Sequence, residues 1–245
     1  MELLDKRALV TGGTAGIGRE TAKLFAREGA SVVISGRDAG RGAETVAEIE
    51  ADGGRARFIM ADNADLASVE RLAAEAGDVD ILVNNAAVFP FAPTLEQDVA
   101  TYETLFDTNV RAPYFLTAAL APKMLAKGAG SIINISTIAA IVGMPGASVY
   151  SATKAALDSL TRTWAAEFGG SGVRVNTISP GHTHTDSAVT QIGAAEFQAL
   201  GERSALARTA DPKEIAEVVL FLASERSSYV TGASLTVDGG ITAIA

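Results

Sequence analysis

Tyr150-Ser151-Ala152-Thr153-Lys154 places a phenol and an ammonium four residues apart. On a helix that spacing brings both to one face, one turn apart. A phenol with an ordinary pKa of about 10 is a poor proton carrier at neutral pH, and a neighbouring ammonium favours its phenolate. Such pairs are common on solvated helices, so the pair alone does not mean catalysis. Upstream, an apolar run ends in the hydroxyls of Ser136 and Thr137, a type of group suited to polarising a substrate carbonyl. The combination of such a hydroxyl with the pair, rather than the pair alone, is what makes this segment informative.

A second constellation opens the chain. Ala8-Leu9-Val10-Thr11-Gly12-Gly13-Thr14-Ala15-Gly16-Ile17-Gly18 runs from an apolar strand pattern into a helical one. Glycines serve here where φ is positive and where backbone must touch a ligand. The helix then aims free N–H groups and its positive end at a pyrophosphate. Gly-rich turns also join strands to helices without any ligand; the position after the first strand favours a nucleotide. Without a Gly-Lys-Ser/Thr continuation, ATP or GTP hydrolysis is disfavoured. The second strand pattern ends Ser35-Gly36-Arg37-Asp38. A carboxylate at such a tip accepts from the ribose hydroxyls of NAD, whereas a guanidinium suits the 2′-phosphate of NADP. Arg37 favours NADP(H); Asp38 keeps NAD(H) open.

Composition removes other chemistries. The 245 residues include no Cys and two His, with 20 Lys+Arg against 29 Asp+Glu and a net charge of −9. Thiolate catalysis, disulfides and Cys-ligated metals are excluded, and His182 and His184 alone argue against a histidine-rich metal centre. A His-x-His pair after Pro180-Gly181 is read as polar lid residues, with metal binding or acid–base work as the rival. The charge argues against nucleic acid. No signal-peptide pattern opens the sequence, and the long uncharged run from Gly128 to Thr153 carries Asn134, Pro145 and several glycines, so it is read as strand and loop rather than a membrane span. The expected location is cytoplasmic.

Elements able to position these groups follow from periodicity. Strands are expected at Arg7–Thr11, Ser31–Ser35, Arg55–Ala61, Asp80–Asn84, Ser131–Ser136, Val173–Ile178 and Ser234–Val237. Helices are expected near 17–28, 40–51, 66–76, 98–126, 149–168 and 212–223. Their alternation predicts an α/β fold: one domain over 1–245, a doubly wound, seven-stranded parallel sheet flanked by helices. The stretch 180–210 is the least regular, and its later part, 182–210, reads as a substrate lid.

Together these motifs resemble the short-chain dehydrogenase/reductase family of single-domain Rossmann oxidoreductases. The resemblance spans Thr11 to Val237-Asp238-Gly239-Gly240 and rests on Thr-Gly-x-x-x-Gly-x-Gly at 11–18, Asn-Asn-Ala at 84–86, Asn109, Tyr-x-x-x-Lys at 150–154 and Pro-Gly at 180–181. It implies Tyr150 as acid in reduction and base in oxidation. Lys154 would hold the nicotinamide ribose and lower the Tyr150 pKa, and Asn109 would anchor a relay water. Gly12, Thr14, Gly16, Ile17 and Gly18 would hold the pyrophosphate, Asp62 and Asn63 the adenine, and Asn84 its ribose. Pro180, Gly181, Thr183 and Thr185 would lie at the nicotinamide.

Two departures stand out. The family's substrate-orienting serine falls at Thr137, with Ser136 as the alternative donor, and the usual glycine after Asn-Asn-Ala is Ala87. The implied activity is NADP(H)-dependent interconversion of a ketone and a secondary alcohol, in a homotetramer or dimer. An NAD-dependent dehydrogenase and a non-catalytic dinucleotide sensor are the alternatives. Phe89, Phe91, Ile138, Ile141 and Val142 suggest a hydrophobic or cyclic carbonyl substrate.

Overall fold

The structure, a computed structural model, describes residues 1–244. The apolar runs become β1 (Arg7–Thr11), β2 (Ser31–Gly36), β3 (Arg55–Met60), β4 (Ile81–Asn84), β5 (Gly130–Ile135), β6 (Val173–Pro180) and β7 (Ser234–Val237). They form one sheet in the order β3-β2-β1-β4-β5-β6-β7, every neighbouring pair parallel. Parallel strands need crossovers, which the helices supply: α1 (Gly16–Arg27), α2 (Ala39–Ala51), α3 (Leu66–Ala76), α4 (Val99–Phe106), α5 (Ala112–Lys127), α6 (Ser148–Phe168), α7 (Asp186–Ile192), α8 (Ala194–Glu202) and α9 (Pro212–Ala223).

Both faces of the sheet are covered, and β1 shows how. Ala8 and Val10 join a core with Phe25 of α1 and Ile215 of α9, while Leu9 faces the opposite core with Leu72, Leu116 and Trp164. Alternation along a strand sends successive side chains to opposite faces, so a strand buried on both sides must be apolar throughout. Strand order reverses between β1 and β4, and a crevice opens there at the carboxyl ends of the strands.

Two expectations need correction. The helix expected over 98–126 is broken: a π-helical turn, Asp107–Arg111, separates α4 from α5, with Ala112 N–H bonded to the Asp107 carbonyl. Its cause is Asn109, fully buried, whose amide donates to the Val88 carbonyl (2.9 Å) and Thr153 Oγ1 (3.1 Å) and whose carbonyl accepts from Val88 N–H (3.0 Å). The stretch 180–210 is not irregular either, since it contains α7 and α8. Thr185 caps α7 by accepting from Ala188 N–H, and Gly193, at φ +94°, makes the corner between the two helices.

Candidate active site

The crevice is a cleft of about 920 Å³. At one end lies the glycine turn. Gly12 and Gly16 have φ of +64° and +52°, and a Cβ on either would approach a neighbour within 2.9 Å, Ala86 Cα for Gly12 and Thr185 Cγ2 for Gly16. Only glycine fits both the conformation and the space. α1 begins at Ala15 with no side-chain cap and no acidic residue in its first turn. Its leading N–H groups are therefore left for an anion. Thr14, Ile17, Arg37, Asp62 and Asn63 line the same end. Asp38 caps α2 by accepting from Arg41 N–H (3.0 Å) and pairs with the Arg41 guanidinium (3.6 Å). Arg41 also lines the cleft, a residue that sequence reading did not single out.

The same cleft is lined by Tyr150, Lys154 and Thr137 together with Pro180, Gly181, Thr183 and Thr185, of which Thr185 reaches back to Gly16. Gly181 is required by space, because a Cβ there would lie 2.7 Å from Asp238 Cα. Lys154 is buried and donates from Nζ to the Ile135 carbonyl (2.8 Å); the same Nζ lies 6.0 Å from the Tyr150 ring centre. Burial pushes the Lys154 ammonium down to about 8, partly offset by the negative charge of Asp158. Burial also pushes the Tyr150 phenol up to about 12, with the Thr137 hydroxyl beside it working against that shift. The sequence expectation of a phenol lowered by Lys154 is not met in this structure: burial raises the phenol, and Lys154 spends its hydrogen bond on a carbonyl. Of the two candidate hydroxyls, Thr137 stands beside the phenol. Ser136 is turned inward, toward the Lys154 carbonyl (3.4 Å) and Asp158.

Asp158 was legible only in hindsight, one helical turn beyond Lys154. It lies against the hydroxyls of Ser136 and Thr177, and its Oδ1 is buried with no hydrogen-bond partner among the described residues. Burial raises its carboxyl pKa.

Several expected site residues lie behind the cleft rather than on it. Asn84 donates to Asn134 Oδ1 (2.9 Å), which begins a buried chain through Thr161 to Thr177. The cleft is lined instead by Asn85, whose amide joins the exits of β1 and β4 by donating to the carbonyls of Thr11 (2.9 Å) and Gly12 (3.2 Å). Gly18 packs under the turn, where a Cβ would collide with the Gly12 carbonyl. Asn109 ties Val88 to Thr153, as described above. Ile141 is exposed away from the cleft, whereas Phe89, Phe91, Ile138 and Val142 line it. Ala87 is not among the residues at positive φ, so its methyl costs nothing in backbone strain. His182 and His184 stand edge-on to Phe197 of α8, at 6.3 and 5.9 Å between ring centres. Among the described residues no group of three or more His, Asp and Glu is arranged to hold a metal ion.

A glycine turn and a Tyr–Lys–hydroxyl group in one cleft frame the comparison with known proteins. A family model described as enoyl-(acyl carrier protein) reductase matches residues 12–242. A solved structure titled short chain dehydrogenase/reductase family protein superposes with a TM-score of 0.94 at 60% identity, covering 99% of this chain and all of its own. The chain belongs to the short-chain dehydrogenase/reductase family. This short-chain dehydrogenase is an enzyme of the oxidoreductase class acting on CH–OH and C=O groups. It is 43% identical to L-rhamnose 1-dehydrogenase (NAD(P)(+)) of Azotobacter vinelandii and 40% identical to cis-4-hydroxycyclohexanecarboxylate dehydrogenase of Sinomonas cyclohexanicum, with 98% of each chain covered in both cases. A blue fluorescent protein from a metagenomic library, solved in complex with NADPH, is 37% identical with a TM-score of 0.92, over 98% of this chain and 99% of its own.

Proposed function

We propose that this short-chain dehydrogenase is an NADP(H)-dependent oxidoreductase interconverting a ketone and a secondary alcohol, with Tyr150 as general acid in reduction and general base in oxidation. The observation that carries the reading is a single cleft holding both the anion-ready end of α1 and the Tyr150–Lys154–Thr137 group. The positive-φ glycines, the uncapped helix end and the exposed Arg37 suit a dinucleotide of high negative charge. Bound there, NADPH supplies the hydride that the carbonyl carbon receives. Tyr150 keeps its proton throughout the neutral range and delivers it to the carbonyl oxygen, while Thr137 donates to that oxygen and strips it of electron density. Lys154 fixes a positive charge behind the phenol. In oxidation the same steps run in reverse, starting from the phenolate form of Tyr150, which accepts the alcohol proton.

Preference for NADP(H) rests on Asp38 being committed to capping α2, which leaves Arg37 and Arg41 as the charged groups at the tip of β2. A relative named for NAD(P)(+) and a neighbour holding NADPH support a nicotinamide dinucleotide. We further propose association into a homotetramer or dimer through the apolar groove of about 450 Å³ between the α4–α5 segment and α6, where Val110, Tyr114, Phe115 and Leu160 meet.

The reading is tested by following NADPH oxidation with a panel of ketones. Turnover on at least one, lost by a factor of about 10² to 10⁴ in Tyr150→Phe, is expected. Cofactor binding without turnover on any ketone would support the sensor instead, and full activity in Tyr150→Phe would remove the tyrosine from the mechanism.

A further inference from the structure

The cleft exposes two guanidinium groups that take part in no ion pair among the described residues, Arg37 and Arg203. Arg37 lies at the dinucleotide end. Arg203 lies at the carboxyl end of α8, and its charge bears on His182 in the loop after β6, which lines the cleft beside Gly181 and Thr183. The nearest carboxylate of the same helix that lines the cleft, Glu196, sits two turns earlier, about 10 Å along the axis. It stands at the amino end of α8, where the helix dipole already stabilises it. Arg203 thus remains uncompensated.

The wall beside the reacting phenol has the opposite character. Phe89 and Phe91 each pack with their ring centres 6.1 Å from that of Tyr150. The cleft that holds Tyr150 is also lined by Phe197, Leu200 and Arg203, so a ligand filling it meets both an apolar surface and a cation. Guanidinium matches a carboxylate bidentately, and a partly closed cleft strengthens the attraction over its value in water. A residue at a helix carboxyl end also steadies the helix by charge alone, a role that any cation fills; bidentate recognition is particular to arginine.

We infer that the substrate of this site is a ketone or secondary alcohol whose apolar carbon frame carries a carboxylate, and that Arg203 receives this carboxylate while the carbonyl meets Tyr150. The inference rests on the carbonyl-reduction reading above and adds the substrate class to it. Glu196 completes the discrimination by repelling an anion placed at the wrong end of α8.

The test compares 4-oxocyclohexanecarboxylate with its methyl ester as substrates for NADPH oxidation, in the wild type, Arg203→Met and Arg203→Lys. The acid is expected to exceed the ester in kcat/KM by tenfold or more in the wild type. Arg203→Met should bring the ratio near one by raising KM for the acid and leaving the ester unchanged, and Arg203→Lys should recover only part of it. Added salt should weaken the acid alone. Equal use of acid and ester by the wild type, a preference for the ester, or equal losses on both in Arg203→Met would overturn the assignment. If neither ketone is reduced, the carbonyl-reduction reading fails on its own terms, and calorimetric binding of cyclohexanecarboxylate to the NADPH-loaded protein still decides the role of Arg203. Binding that Arg203→Met abolishes upholds it; no binding, or binding untouched by the substitution, rejects it.

Discussion

Lys154 keeps its charge against burial with the help of a carboxylate one turn further along α6. The Lys154 pKa of about 8 lies below the ordinary lysine value because burial disfavours the ammonium, and Asp158 pulls it back up. The positive charge behind Tyr150 is therefore present below about pH 8 and lost as pH rises through that value. Asp158→Asn removes the supporting charge, so the alkaline limb of the kcat/KM profile for reduction should move to lower pH. A limb that stays in place would show that Asp158 does not act on Lys154. The tip of β2 makes its own prediction. Loss of a charge-assisted hydrogen-bond pair costs about 1.5–3 kcal/mol, roughly 10- to 100-fold in affinity. Arg37→Ala should lose that much toward NADPH and little toward NADH, measured by fluorescence titration of both; equal losses would refute Arg37 as the phosphate anchor.

Among the elements, α9 holds the covering layer over β1 and its start is fixed by a reciprocal cap. Asp211 accepts from the first turn, Glu214 accepts from Asp211 N–H (2.9 Å), and Arg208 pairs with Glu214 (2.7 Å). Those donors hold the Glu214 carboxyl down to about 2. Its folded pKa lies below the unfolded one, so its contribution is full above about pH 4.5 and fades as pH falls toward 2. Asp211→Ala should cost about 1 kcal/mol and lower Tm by a few degrees in a thermal melt, with activity at 25 °C retained. The Asp-x-x-Glu pattern before an apolar run makes such a helix start readable from sequence. The π-helical turn at Asn109 was not readable, because nothing in Asp107-Thr108-Asn109 departs from a helical pattern; only the distant partners Val88 and Thr153 reveal why the turn widens. Similarly α7 and α8 were not readable because both are short, held by the cap at Thr185 and by Phe197 against the two histidines rather than by a long apolar stripe.

For the whole molecule, the seven-stranded parallel sheet and the pairing of a glycine turn with Tyr150 were legible because both depend on local pattern and on the succession of motifs along the chain. Asn84 and Asn85 were not distinguishable by pattern: adjacent residues at a strand exit point to opposite sides, and only the register of β4 between β1 and β5 decides which reaches the cleft. The balance of burial and charge at Tyr150 likewise required the third dimension. Tyr114 and Phe115, packed edge-on to each other, are each more than two-fifths exposed. Phe115→Glu should place a charge in the proposed subunit contact and shift the sedimentation coefficient to that of a smaller species, while secondary structure by circular dichroism stays the same; an unchanged coefficient would place the contact elsewhere.

That face and the cleft share one helical segment, and the π-helical turn sits between them. A turn closed by a bond five residues back holds one residue more than an α-turn. The widened turn absorbs that residue, so α5 keeps the phase it would have one residue shorter; closing the turn to regular geometry with every residue kept would swing α5 by about 100° about its axis relative to α4. Leu116, Leu120 and Met124 would then leave the sheet, and the aromatic pair would rotate off the outer face. The extra residue acts as a phase offset. It lets the part of the segment beside Val88 and the part bearing Tyr114 answer to different neighbours while remaining one continuous rod, so a change that tightens the turn without losing a residue is expected to be far more damaging than a substitution of similar size elsewhere on the segment.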